Sequence, residues 1–84
     1  MPAACINDDL AGGKLIASQS TVIANGKAII VHGDSIESHG IGTHAAATII
    51  ATSSVFIGGK KVAMTGDAAT CSHVATGSST VFVG

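Results

Sequence analysis

The apolar positions of this chain fall into short runs that recur, and none approaches the length needed to span a membrane. One set reads Ala3-Ala4-Cys5-Ile6-Asn7-Asp8, Ile29-Ile30-Val31-His32-Gly33-Asp34 and Val62-Ala63-Met64-Thr65-Gly66-Asp67. Each is a strand-like apolar stretch that ends at a turn-forming pair, Asn-Asp once and Gly-Asp twice. A second set reads Ser20-Thr21-Val22-Ile23-Ala24, Ser53-Ser54-Val55-Phe56-Ile57 and Ser79-Thr80-Val81-Phe82-Val83, and supplies the partner strands. Between the two sets stand Asn25-Gly26 and Gly58-Gly59, residues that tolerate positive φ and close two-residue type I′ hairpins. Residues 20–31 and 53–64 are therefore predicted hairpins. The run at 79–83 and the run beginning at Pro2 are the two halves of a third hairpin, formed where the termini pair.

Self-similarity at this scale predicts one domain over residues 1–84, all-β, in which three related units close a small pseudo-three-fold body. Counting supports the repeat: Asp8 precedes Val22 by 14 positions, Asp34 precedes Val55 by 21, and Asp67 precedes Val81 by 14. The middle connection thus carries seven extra residues. The three connections, 9–18, 35–51 and 68–77, hold nearly all the chemistry, so function is sought there. Residues 45–50 leave helix and strand both open, because Ala favours the first and Thr48, Ile49 and Ile50 suit the second. Residues 28–31 are apolar on both faces, which suggests strands buried on both sides or a surface covered by a partner.

Composition sharpens the picture. A chain of 84 residues buries only roughly 60–65 % of the surface its unfolded form exposes. Phe56 and Phe82 are the only aromatics within an apolar fraction of 46 %, so the core is thin and a staple is expected. The net charge of -1, with four Lys and no Arg, argues against nucleic acid, whose phosphates call for basic patches and stacking aromatics. Cys5 and Cys71 read as small buried hydrophobes ahead of a disulfide. The start MPAACINDD has neither a basic n-region nor an apolar h-region, so no signal peptide is expected.

The staple has candidate ligands. His32, His39, His44 and His73 all lie at or near the connections, and Cys71 stands two residues from His73. Convergence of the second and third connections at one pole would gather imidazoles and a thiolate into a closed tetrahedral zinc site, with Zn–N near ~2.0 Å and Zn–S near ~2.3 Å. His32 is set apart, because it ends a return strand where the equivalent positions hold Ile6 and Thr65. Asp8, Asp34 and Asp67 read as turn residues that cap local N–H groups rather than as a catalytic set. Glu37 is the one carboxylate that could act as a base beside an open metal. Gly12-Gly13-Lys14 and Gly58-Gly59-Lys60-Lys61 lack a phosphate-loop context and read as turns.

The pieces Met1-Pro2-Ala3-Ala4, Gly12-Gly13, Gly33-Asp34, Val62-Ala63 and Gly66-Asp67, with the runs 20–26, 53–59 and 79–84, together resemble the PAAR-repeat family. The resemblance spans the whole chain. It implies a small cone with zinc near the apex, held by His39, His44, Cys71 and His73, with His32 as a reserve ligand. It implies a structural, non-enzymatic spike tip, one copy per homotrimeric β-helical spike, that sharpens the spike for membrane piercing without residing in the membrane. The resemblance also allows effector proteins as further partners. Such a protein is made in the cytoplasm and leaves as part of a type VI secretion particle or a contractile phage tail. The runner-up function is a small zinc-dependent enzyme, which needs an open coordination position and a base such as Glu37.

Overall fold

The computed structural model describes residues 3–38, 40, 42 and 47–83. Its elements are short strands: β1 (Leu10–Ala11), β2 (Gly13–Ile16), β3 (Ile23–Ala24), β4 (Lys27–Ala28), β5 (Ser35–Ile36), β6 (Phe56–Ile57) and β7 (Lys60–Lys61). Strands β3 and β4 form one antiparallel hairpin, and β6 and β7 a second. Their turns place Asn25 and Gly26 at φ 53° and 79°, and Gly58 and Gly59 at 59° and 84°, the positive pair that a type I′ turn requires. The split third hairpin is present as well. Ala3 pairs with Phe82, and the Ala4 N–H donates to the Val81 carbonyl at 2.7 Å, as Ile29 does to Val22 at 3.1 Å and Val62 to Val55 at 2.8 Å.

The return strands are joined to one another in a closed circuit. Cys5 donates its N–H to the Ala63 carbonyl, Ala63 to Ile30, and Ile30 to Cys5, each at 2.9 Å. Antiparallel bridges Ala4–Met64, Ile6–Ile29 and Val31–Val62 flank that triangle. A second circuit lies in the connections. Leu15 donates to the Asp9 carbonyl at 2.6 Å, Ile49 to Asp34 at 3.1 Å and Ala75 to Asp67 at 2.8 Å. The carbonyls of the same three residues accept from Asp8 at 2.9 Å, Gly33 at 2.9 Å and Gly66 at 3.0 Å. Leu15, Ile49 and Ala75 are all buried.

This pairing corrects the repeat read from the sequence by one position. The capping carboxylates are Asp9, Asp34 and Asp67, which accept the N–H of Ile6 at 2.8 Å, Val31 at 2.8 Å and Met64 at 2.9 Å. Each also takes a hydroxyl hydrogen bond, from Ser78, Ser18 and Thr52 respectively. Asp8 instead stands where Gly33 and Gly66 stand, at φ 77° against 85° and 96°, and is exposed in an ion pair with Lys27 at 3.3 Å. The tandem Asn7-Asp8-Asp9 admits two alignments, and the left-handed backbone picks the one that leaves Asp9 in the cap. By the same shift, the equivalents of His32 are Asn7 and Thr65, not Ile6 and Thr65. The isolated antiparallel bridges Thr48–Ser35 and Ile49–Ala69 show bridged, non-helical backbone at Thr48 and Ile49, while Ala45 and Ala46 lie outside the described residues.

Two apolar clusters result. The larger gathers Cys5, Leu15, Ile30, Ile36, Ile49, Ala63 and Cys71 with small alanines, on the side of the connections. The smaller gathers Ala4, Ile6, Ala24, Ile29, Val62 and Val83 between the hairpins. The molecule measures 32 × 22 × 22 Å, with two equal short axes.

Candidate metal centre

The third connection folds back on itself in a tight turn. Ala69 donates its N–H to the His73 carbonyl at 2.8 Å and Ser72 donates to Ala69 at 3.0 Å, with Ser72 in the left-handed region at φ 75°. The bridge Ala68–Val74 closes the turn from below, and the Thr70 N–H donates to the Thr48 carbonyl at 2.9 Å, which ties it to the second connection. The Cys-x-His spacing across this turn brings Cys71 Sγ to 3.4 Å from His73 Nδ1. Cys71 is buried against the larger cluster, and His73 is exposed.

That pair fits a zinc ion in separation and in chemistry. Two ligands at about 2.3 and 2.0 Å from one tetrahedral zinc stand roughly 3.5 Å apart, and thiolate with imidazole is a donor set zinc favours. His39 and His44 lie outside the described residues. Among the described residues no three His, Cys, Asp or Glu side chains gather as a metal cluster. Cys5 and Cys71 are not joined by a disulfide.

His32 has another employment. Its Nδ1 accepts the N–H of Ala51 at 3.1 Å, as Asn7 Oδ1 accepts that of Ala17 at 2.8 Å and Thr65 Oγ1 that of Gly77 at 2.9 Å. One acceptor per repeat thus satisfies one backbone donor. The short Thr65 side chain draws its partner strand close: a Cβ on Gly77 would lie 2.4 Å from Thr65 Oγ1. The repeat register hides this role in the sequence until Asn7, His32 and Thr65 are aligned. Glu37 donates its backbone N–H to the Lys14 carbonyl at 2.8 Å and lies on the strand side of the second connection.

The Cys5 thiol is wholly buried where the three return strands meet. Desolvation above all, with the Asp9 and Asp67 carboxylates adding, pushes its pKa from 9.0 up to about 12. It is a core group rather than a ligand.

Residues 39–84 match the family model described as PAAR motif, more than half of the chain, and include all four proposed ligands. Among curated proteins the chain has no match. With the split hairpin, the repeated Gly-Asp turns and the Cys71–His73 pair inside or joined to that span, the chain belongs to the PAAR-motif family.

Proposed function

We propose that this protein is a structural tip: a pseudo-three-fold cone that caps a homotrimeric β-helical spike of a contractile injection machine, one copy per three spike chains, and pierces a membrane as the particle's leading point. PAAR-motif proteins as a family serve as spike tips rather than enzymes. The observation that carries the reading is a set of three valines. Val22, Val55 and Val81 occupy equivalent positions and are 38, 42 and 43 % exposed. Each stands two residues before Ala24, Ile57 or Val83, of which Ala24 and Val83 are buried and Ile57 is half-buried. Three matched, exposed apolar side chains, one in each repeat, suit a platform that presents the same surface three times.

At the other end, zinc would be held by His39, His44, Cys71 and His73, where it supplies a crosslink between the second and third connections and no chemistry of its own. No helix among the described residues is long and apolar enough to cross a membrane. On this reading the particle delivers the protein outside the cell, with effectors as further passengers.

Mixing the protein with a trimeric β-helical spike and measuring mass by light scattering tests the reading. A one-to-three complex with weak salt dependence is expected, lost when Val22, Val55 and Val81 are all changed to Asp. A three-to-three complex, or none, overturns it. Elemental analysis of protein purified without chelator should find one zinc per chain.

A further inference from the structure

The second hairpin differs from the first in its turn residues and its charges. Between it and the preceding turn lies a cavity of about 310 Å³ lined by His32, Ala51, Phe56, Gly59, Lys60 and Lys61. His32 is fixed there from two sides, its N–H donating to the Lys61 carbonyl at 2.7 Å and its Nδ1 accepting from Ala51. With Nδ1 an acceptor, the proton of the neutral ring sits on Nε2, a donor left for the groove. Phe56 pairs across the hairpin with Lys61, so the groove has an apolar wall beside its cations.

Comparison with the first repeat shows what the groove lacks. Lys27 opens β4 as Lys60 opens β7, and Lys27 is neutralised by Asp8 at 3.3 Å in the turn before its hairpin. The position equivalent to Asp8 in the second repeat is Gly33. Lys61 compounds the difference, because its equivalents are Ala28 and Ala3. Among the described residues Lys60 and Lys61 have no ion pair, in a chain whose net charge is -1. The tip of this hairpin is also unclamped: Asn25 Oδ1 accepts from the Thr80 N–H and hydroxyl, and Gly58 in its place has no side chain to do so.

We propose that this groove binds, once per chain, a side-chain carboxylate carried on an apolar segment of a partner protein, which takes the place that Asp8 fills in the first repeat. The carboxylate meets Lys60, Lys61 and the His32 Nε2–H, and its apolar neighbours lie on Phe56. Because among the described residues only the second repeat sets two lysines and a histidine around a groove, it recruits a single asymmetric passenger even when the rest of the molecule faces a symmetric partner. Val55 does not line the groove, so the proposal does not rest on the spike reading.

The probe is an acetylated, C-terminally amidated hexapeptide of alternating Leu and Glu, titrated into the full-length ¹⁵N-labelled protein. Amide shifts are expected at His32, Ala51, Phe56 and Gly59 through Lys61, and not at Cys5, Ile30 or Ala63. The double change Lys60→Glu and Lys61→Glu should weaken binding at least about tenfold, since it replaces two attractions with two repulsions. Gly33→Asp, which restores the carboxylate of the first repeat at a backbone conformation Asp8 already adopts, should weaken it several-fold with the fold intact. Lys14→Glu should leave it unchanged. Absence of shifts, equal binding of a Leu-Lys hexapeptide, equal binding of inorganic phosphate, or indifference to Gly33→Asp overturns the proposal.

Discussion

Single residues carry unequal weight in this small protein, and adjacent aspartates show it most sharply. Asp9 is buried and accepts the Ile6 N–H, the Ser78 N–H and the Ser78 hydroxyl, so Asp9→Ala strands the buried Ile6 donor and unties exposed Ser78 from the turn. A loss of about 2–4 kcal/mol is expected in urea unfolding. Asp8 holds an exposed ion pair worth at most about 1 kcal/mol and occupies a left-handed backbone that glycine adopts freely. Asp8→Gly should therefore change stability by less than about 1 kcal/mol; a larger loss would mean that the register given above is wrong. Cys5 bears on alkaline stability. Its folded pKa of about 12 lies above the ordinary 9.0, so the folded state favours the protonated thiol. The contribution is complete below pH 9 and is lost as pH rises towards 12. In iodoacetamide labelling at pH 8 neither cysteine of the zinc-loaded protein should react. Chelator should release Cys71 alone, and Cys5 should react only on unfolding; early labelling of Cys5 would contradict its place at the strand junction.

At the scale of elements, the hairpins were legible and the connections were not. Asn25-Gly26 and Gly58-Gly59 announce their turns because few residue pairs accept two positive φ values in succession. Strands β1, β2 and β5 gave no comparable signal, since two to four residues cannot display an alternation, and Leu15 and Ile36 pair only through the tertiary circuit. Of the candidate zinc site, the Cys71-x-His73 spacing was legible but the tight turn that joins the two side chains was not, and His39 and His44 lie outside the described residues. The first connection hides a substitution of roles. Ser53 and Ser79 are buried hydroxyls that bond Val62 and Ala4 carbonyls at 2.7 and 2.8 Å, but their sequence counterpart Ser20 is exposed. One extra residue between Ser18 and Val22 pushes Ser20 outward, and the longer Gln19 reaches in with Nε2 to Val22 and Ile29 carbonyls at 3.0 and 2.9 Å. Its Oε1 also accepts from the Thr21 and Val22 N–H groups, both at 2.9 Å. Gln19→Ala should cost about 1–3 kcal/mol, near the cost of Ser79→Ala, while Ser20→Ala should cost less than about 0.5 kcal/mol. The reverse order in thermal melts would restore the simple sequence alignment.

For the whole molecule, the decisive feature is closure. The N–H groups of Cys5, Ile30 and Ala63 each bond the next return strand, so no one of the three can open without displacing a strand held by the other two. All three residues are completely buried in the larger cluster, where local fraying has no route for water. Their amides should therefore exchange with deuterium only through global unfolding, and should share one protection free energy to within about 1 kcal/mol, the highest in the chain. Amides at the hairpin tips, exposed and bonded over two residues, should exchange far faster. The metal adds a second arm to the same measurement. If zinc joins the second and third connections, its binding free energy is folding free energy, and chelation lowers the protection of all three amides by one common amount. Native-state exchange followed by NMR, with and without chelator, reads both at once. Unequal protection among Cys5, Ile30 and Ala63 would break the circuit argument, and equal protection untouched by chelator would leave the circuit standing while removing zinc from the account of stability.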